Sequence, residues 1–416
     1  NQSNRSLKSN PSPVSNSSPA GVPRMQEYLQ FAEAISDEIR VIADFIHAHP
    51  ELGFEEFQAA DKIAAFLERH GFAVTRQAAG IATAFRADMK LNDADNAPRV
   101  CVCGEYDALP GLGHGCGHNL IAAAGLSAAW IAAKYAEKHH LDLNLCFMGT
   151  PAEEGKGGKV KMIKGGAFAD VAMAVMAHPS ERTETDSGGL GVARARISFH
   201  GKASHAGSAP ERGINALDAM VFFYADMLEW KKAIGTRERV HGIITNGGDA
   251  PNIIPDLTQA FFYVRAATTP AIDKLKKALD ESVRRGAEKA GCRYDIEWDE
   301  GTDPILVNRP INLEYQAAWR DMGEDIPLCN GDERCGSTDM GNVTQIMPGA
   351  HVRFAISDGE PCPGHSIAFR EAAAGSAGFA NAIKAGAAMA RILIHYSQDQ
   401  SFRTAVNADF HQRRHK

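Results

Sequence analysis

The chain has 416 residues, of which 44% are hydrophobic and 23% are charged, and its 44 basic and 51 acidic residues give a formal net charge of −7. This composition excludes a fully disordered or fibrous protein, and the length fits two or three domains of about 100–200 residues. Because the chain lacks a basic footprint, we expect no nucleic-acid partner. No segment approaches the ~18 consecutive apolar residues of a bilayer-spanning helix, so we expect no membrane partner either.

The eight cysteines are spread along the whole chain, unlike those of small disulfide-bonded scaffolds. We therefore expect most of them to be reduced thiols and the protein to be cytoplasmic.

The amino-terminal residues 1–24 are rich in Asn, Ser and Pro and are predicted to form a disordered arm. Apolar residues then recur at helical spacing over residues 28–46, and Pro50 ends that predicted helix. A second helix is predicted over residues 59–70, before Gly71.

Three short apolar runs follow, at residues 100–103, 143–148 and 171–177. Each is preceded by helical or loop sequence and followed by polar, glycine-containing sequence, which is typical of βαβ units with buried parallel strands. Ligands of open α/β sheets bind beyond the carboxyl ends of such strands. The chemistry is therefore expected in the polar segments after the three runs.

The sequence between residues 189 and 307 is of a different kind and predicts a compact α+β block. Its predicted elements are strands at 193–200, 258–266 and 293–298 and helices at 214–234 and 271–290. Apolar, glycine-rich α/β sequence returns after it. We interpret residues 25–188 and 308–398 as one α/β catalytic domain, residues 189–307 as an inserted domain, and residues 399–416 as a carboxy-terminal tail.

Potential metal ligands follow each of the three predicted strands. Cys116 and His118 lie in a glycine-rich loop, Glu153 and Glu154 follow the second strand, and His178 follows the third. His365 lies in a later Pro/Gly turn. Thiolate, imidazole and carboxylate groups bind zinc and other transition metals. Each of these residues also has an ordinary structural explanation when it is taken alone.

The combined set is more informative than its members. Cys116, His118, Glu154, His178 and His365 are too many ligands for one catalytic metal with three protein ligands, but they suit a centre of two metals. Glu153 would then take a proton from the bridging water and deliver it to a leaving amine. The positive charge of such a centre favours substrates that carry a carboxylate.

The inserted block has three further candidates. His205 could donate a hydrogen bond to a developing oxyanion, and Asn252 and Arg265 could hold a substrate carboxylate. Taken alone, each of these residues is better explained by structure, His205 as the cap of a turn and Arg265 as an ordinary surface residue of a strand.

Together these segments resemble the aminoacylase/carboxypeptidase-type dinuclear metallopeptidase family, in its amidohydrolase branch. The matching segments appear in the family's order over about residues 25–395: His49 to Glu56, Gly115 to His118, Ala152 to Gly155, His178, Ser204 to Ala206, Asn252 to Pro255 and Pro363 to His365. The resemblance implies a zinc-peptidase-like catalytic domain with a mixed sheet flanked by helices, and an inserted ferredoxin-like lid that also forms a homodimer. It implies the five ligands named above, Glu153 as general base and His205 acting in the neighbouring subunit's site.

The resemblance also implies two divalent ions per subunit, Mn²⁺ or Zn²⁺ or Co²⁺. The expected activity is the cleavage of an N-acyl or aroyl amino acid, or of a small dipeptide, by metal-bound hydroxide with Glu153 as general acid and base. The segments 104–110 and 336–341 look closest to aminobenzoyl-glutamate hydrolases and dipeptidase-like members, whereas Asn119 stands where many members have Asp. A hydrolytic deaminase of an amino-aromatic compound and a non-catalytic metal- or ligand-binding protein remain as alternatives.

Overall fold

The first part of the chain builds one half of an α/β domain. The computed structural model describes residues 25–334 and 336–414, so the arm predicted over residues 1–24 lies outside the described residues. The elements of this part are α1 (Met25–Ala48), α2 (Phe57–Arg69), β1 (Ala73–Arg76), β2 (Phe85–Leu91), β3 (Arg99–Gly104), α3 (His118–His139), β4 (Leu143–Gly149), α4 (Glu153–Lys156), α5 (Gly158–Lys164) and β5 (Met173–Ser180).

The inserted block has the predicted ferredoxin-like arrangement. Its elements are β6 (Gly191–His200), β7 (Ser204–His205), α6 (Ala216–Lys231), β8 (Arg239–Asn246), β9 (Ile253–Ile254), β10 (Leu257–Ala266), α7 (Thr269–Ala290) and β11 (Arg293–Trp298). Four strands form an antiparallel sheet in the order β11-β6-β10-β8, and β7 pairs with β9. The two helices pack together and cover one face of the sheet with a separate apolar core. We call this block the lid.

The chain then returns to the first domain. Its remaining elements are α8 (Arg309–Asp321), α9 (Met340–Ile346), β12 (Gly349–Ala355), α10 (Ile367–Ala372), α11 (Ser376–Gln398) and α12 (Gln400–Arg414). The segment predicted as a tail therefore contains a helix. Val406 and Phe410 of this helix are buried, and the carbonyl group of Val406 accepts a hydrogen bond from the Asn308 side chain.

The domain is organised by a six-stranded sheet in the order β1-β2-β4-β3-β5-β12. The four strands from β4 to β12 run parallel, while β1 and β2 are antiparallel additions at one edge. The three apolar runs predicted as parallel strands are thus confirmed as β3, β4 and β5, and every residue of β4 is buried. Their carboxyl ends lie at one edge of the sheet, and the loops that follow them form the candidate site.

The helix α11 forms the centre of the larger core, packed against α3 and α1. It is long and apolar enough to cross a membrane by length and composition, but 78% of its most apolar window is buried inside the protein. Small residues let it approach α3 closely, since a Cβ on Gly386 would lie 2.5 Å from the Cβ of Ser127. We therefore describe α11 as a core helix.

Candidate metal centre

The loop between β3 and α3 brings Cys116 and His118 to the edge of the sheet. Gly117 has a left-handed backbone (φ 74°), and a Cβ there would lie 2.7 Å from Pro179, so the turn favours glycine. His118 follows as the first residue of α3 and is completely buried. The tight turn therefore places a thiol and an imidazole side by side, facing the strand that carries His178.

The five predicted ligands fall into two groups that share one residue. Ligand atoms of Cys116, His118 and His178 lie within 4.8 Å of one another, and so do those of Cys116, Glu154 and His365. The Cys116 Sγ lies 3.5 Å from His178 Nε2, and His365 Nε2 lies 3.5 Å from Glu154 Oε1. This arrangement matches two adjacent metal positions with the thiolate between them.

Asp107 connects the two groups. Its Oδ1 accepts a hydrogen bond of 2.9 Å from Nδ1 of His118, and its Oδ2 accepts one of 2.9 Å from the backbone N–H of Glu154. Because Nδ1 is held in this way, Nε2 of His118 is the nitrogen that faces the other ligands. The sequence alone indicated no role for Asp107, because its partners His118 and Glu154 lie 11 and 47 residues away.

A second buried carboxylate holds the loop that carries Glu153 and Glu154. Glu56 accepts hydrogen bonds from the backbone N–H of Ala152 (2.7 Å) and from the hydroxyl of Thr83 (2.9 Å). Ala152 has a left-handed backbone (φ 59°), so the chain needs this support where it turns from β4 into the glutamate pair. Glu56, the last residue of the family segment from His49 to Glu56, thus fixes the position of the loop by direct contact, although the two are 96 residues apart in the sequence.

A buried group of charges lies beside Glu153. The ammonium group of Lys159 donates hydrogen bonds to Glu105 and, at 2.7 Å, to Oδ1 of Asp339, and all three residues are completely buried. Ligand-type oxygens of Glu105 and Glu153 lie within 4.8 Å of a His118 ring nitrogen. Burial, together with the charges of Glu105, Glu154 and Asp339, raises the pKa of Glu153 well above its usual range.

The donor set fits divalent metal ions. Oε2 of Glu105, Nε2 of His118 and Oε1 of Glu154 are buried and have no hydrogen-bond partner among the described residues. Unpartnered buried polar atoms are costly, and metal coordination would satisfy them. Burial also lowers the pKa of His178 well below its usual range, which favours the neutral imidazole that binds metals.

The three candidates in the lid lie outside these metal-type groups. His205 is exposed on β7, and its Nδ1 accepts hydrogen bonds of 3.1 Å from the backbone N–H groups of Gly207 and Ser208. The carbonyl group of the exposed Asn252 accepts a hydrogen bond from Ala206, which places the two turns side by side. Arg265 instead donates a hydrogen bond of 2.9 Å to Ser337, in the catalytic domain.

Comparison with known proteins identifies the family. The M20 peptidase dimerisation domain matches residues 188–290. An Xaa-Arg dipeptidase of Mus musculus is 36% identical over 357 residues, covering 82% of this chain and 81% of the mouse protein. The chain belongs to the M20 amidohydrolase family. One of the p-aminobenzoyl-glutamate hydrolase proteins of Escherichia coli K12 is 33% identical over 321 residues, covering 70% of this chain and 65% of that protein.

The solved structures agree on the fold. A dinuclear metal-binding M20 peptidase of Bacillus subtilis superposes with a TM-score of 0.67 at 19% identity, covering 87% of this chain and 99% of that chain. An aminobenzoyl-glutamate utilization protein of Klebsiella pneumoniae gives 0.68 at 17% identity, covering 89% and 99%. The resemblance inferred from the sequence is therefore confirmed, and this M20 amidohydrolase is a metal-dependent hydrolase of C–N bonds.

Proposed function

We propose that this M20 amidohydrolase cleaves the amide bond of an N-acyl or aroyl amino acid, or of a small dipeptide. The observation that carries the proposal is the position of Glu153. Its neighbour Glu154 belongs to the group of Cys116 and His365, and the carboxylate of Glu153 itself lies beside His118, which belongs to the other group. A general base at this place reaches the region where both groups meet. The activities in the names of the mouse and Escherichia coli relatives support this substrate class.

Cys116, His118 and His178 would hold one divalent ion, and Cys116, Glu154 and His365 the other. We propose Mn²⁺, Zn²⁺ or Co²⁺, because thiolate, imidazole and carboxylate donors together suit this group of metals. When bound, such ions would polarise the substrate carbonyl group and lower the pKa of a water molecule.

Glu153 would accept the proton of the attacking water and deliver it to the nitrogen of the leaving amine. The two adjacent carboxylates would have different roles. Glu154 would bind a metal ion, and Glu153 would remain free to transfer protons. A protein that only bound metal or ligand would have no need of this second carboxylate.

We further propose that His205 donates a hydrogen bond to the developing oxyanion in the partner subunit of a homodimer. The hydrogen bonds that Nδ1 accepts require the proton of a neutral imidazole to lie on Nε2, so an exposed N–H donor points away from the turn. The match of the lid to a dimerisation domain supports the association of two subunits.

Product mass spectrometry tests the proposal. The metal-loaded enzyme is incubated with N-acyl amino acids, aminobenzoyl-glutamate, short dipeptides and amino-aromatic acids, and Glu153→Gln serves as the control. We expect an acid and an amine as products, and a loss of at least ~10² in turnover in the variant with its metal retained. Release of ammonia with a hydroxylated aromatic product would instead identify a deaminase, and full turnover by the variant would refute the role of Glu153.

A further inference from the structure

The side chain of Glu153 is positioned by its backbone. In the described part of the chain its carboxylate accepts no hydrogen bond. The loop turns tightly here, since the N–H of Gly158 donates to the carbonyl group of Ala152 at 3.2 Å and a Cβ on Gly158 would lie 1.7 Å from the carbonyl oxygen of Pro151. The contacts that fix the two ends of this loop therefore also fix the proposed general base.

Two buried carboxylates hold the ends of the loop. Glu56 accepts the backbone N–H of Ala152 at the first end. At the second end Oδ2 of Asp339 accepts a hydrogen bond of 2.8 Å from the backbone N–H of Lys159, and Oδ1 accepts one of 2.7 Å from the ammonium group of the same residue. Asp339 thus binds both the main chain and the side chain of Lys159, 180 positions away in the sequence.

The side chain of Asp339 does not serve its own helix. Asp339 directly precedes α9, where an aspartate commonly accepts hydrogen bonds from the first turn. It makes no such bond, and the hydroxyl of Thr338 accepts the N–H of Met340 instead, at 3.2 Å. Both carboxylate oxygens of Asp339 are therefore available to Lys159.

The segment around Asp339 is itself anchored. The carbonyl group of Gly336 accepts the N–H of Leu190 at 2.8 Å, and the side chain of Asn342 binds the backbone N–H and the carboxylate of Asp303 at 3.1 and 2.8 Å. Leu190 and Asp303 lie in the two connections between the catalytic domain and the lid. Asp339 is therefore a fixed support, which a positioning contact requires.

Lys159 extends the contact to the carboxylate next to Glu153. Its ammonium group also donates to Glu105, and ligand-type oxygens of Glu105 and Glu153 lie within 4.8 Å of one another. Burial lowers the pKa of Lys159, but the charges of Asp339, Glu105 and Glu153 outweigh it and raise the pKa above its ordinary value. Lys159 thus stays positively charged and compensates the carboxylates gathered beside the loop.

We propose that Asp339 is a positioning residue for Glu153, which acts through Lys159 to fix the loop where the general base works. This inference rests on the proposed role of Glu153 in amide hydrolysis. Asp339 lies outside the ligand groups and is not a catalytic residue. Without its contacts the loop could shift, and a displacement of about 1 Å at a catalytic group can lower turnover about 10²-fold.

Steady-state kinetics of Asp339→Asn test the proposal, with Mn²⁺-loaded protein and with alanyl-arginine and aminobenzoyl-glutamate as substrates. The amide turns one of the two acceptors into an N–H₂ group that faces a donor. We expect kcat to fall about 10- to 100-fold and KM to change by less than about threefold, with the Mn²⁺ content of the wild type. The matched control is Glu314→Gln, since Glu314 is a buried carboxylate that pairs with Arg391 at 2.7 Å, and its kcat should stay within about twofold of the wild type.

The double variant separates positioning from a general structural role. In a Glu153→Gln background Asp339→Asn should lower the residual turnover by less than about twofold, because no general base is left to be misplaced. Equal losses in both backgrounds, an unchanged kcat or a loss of Mn²⁺ would overturn the proposal. If Asp339→Asn does not fold, Asp339→Glu keeps the charge, moves the carboxylate by one methylene group and should show the same pattern.

Hydrogen exchange followed by mass spectrometry separates this inference from the proposed function. In the metal-free protein, peptides that cover residues 150–160 should exchange faster in Asp339→Asn than in the wild type and in Glu314→Gln. If the wild type cleaves neither substrate, the proposed function fails for these substrates, but faster exchange still supports the fixing of the loop by Asp339. Unchanged exchange of these peptides would refute it.

Discussion

Asp107 holds His118 through one carboxylate oxygen and the backbone of Glu154 through the other, both at 2.9 Å. A single buried side chain therefore fixes one predicted ligand from each of the two groups. Asp107→Asn exchanges one of these acceptors for an amide N–H, which cannot accept a hydrogen bond. We expect the affinity for divalent metal to fall about 10- to 100-fold, as is typical when a residue that orients a ligand is lost.

Equilibrium dialysis with Mn²⁺ measures this effect, and the unfolding temperature of the metal-free variant controls for folding. An unchanged metal affinity would show that Asp107 does not orient the ligands.

Asn119 follows His118, a predicted metal ligand, and stands where many members of the family have Asp. Its buried side-chain N–H₂ group donates a hydrogen bond of 2.9 Å to the carbonyl group of Ala373. Asn119→Asp would place a carboxylate oxygen against this carbonyl oxygen and should reduce the free energy of unfolding by about 1–3 kcal/mol. Chemical denaturation of the metal-free protein measures the change.

The matched control for this substitution is Asn381→Asp. The side chain of Asn381 donates a hydrogen bond of 3.0 Å to the carbonyl group of Ala355 but is partly exposed. Its replacement should therefore reduce the free energy of unfolding by less. Equal losses in the free energy of unfolding for the two variants would contradict the expectation that burial makes the substitution at Asn119 more destabilising.

Glu56 makes stability depend on pH. Burial raises the pKa of its carboxyl to about 7, against an ordinary value of 4.5. Between these values the native state keeps a proton that the unfolded state has released, so the contribution of Glu56 to the free energy of unfolding falls as the pH rises. Glu56→Gln removes this titration and keeps an oxygen that can accept the N–H of Ala152.

Relative to the wild type, Glu56→Gln should therefore gain stability between pH 5 and pH 7.5, by an amount on the order of 2–3 kcal/mol at most. Urea unfolding of the metal-free protein at the two pH values gives the comparison, with the exposed neighbour Glu55→Gln as control. A stability difference that is the same at both pH values would contradict the raised pKa.

The proposed role of His205 can be tested by mixing subunits. Glu153→Ala and His205→Ala proteins should each be inactive, whereas a mixed dimer contains one site with both residues intact. If His205 acts across the dimer, random exchange should restore about a quarter of the wild-type activity. No recovery, with mixed dimers demonstrated by native mass spectrometry, would place His205 in its own subunit's site or outside catalysis.

Much of the fold and the set of ligand-type residues could be predicted from the sequence because local patterns encode them. The buried strands were apolar runs. Cys116 and Glu154 lie in the segments after β3 and β4, whereas His178, predicted to follow its strand, lies within β5 near the carboxyl end. The supporting contacts could not be predicted, because their partners are distant in sequence: Lys159 meets Asp339 across 180 positions and Glu56 meets Ala152 across 96. Arg265 was proposed to bind substrate, but the chain alone could not reveal its contact with Ser337.

The proposed function requires that the ligand-type residues at the sheet edge form one centre for two ions. Metal analysis after equilibrium dialysis tests it most directly, on the wild type, Glu153→Gln and Cys116→Ala. We expect two tightly bound divalent ions per chain in the wild type and in Glu153→Gln. Cys116→Ala should lose both ions, because the thiol belongs to both groups. One ion or none in the wild type, or two ions retained by Cys116→Ala, would contradict it.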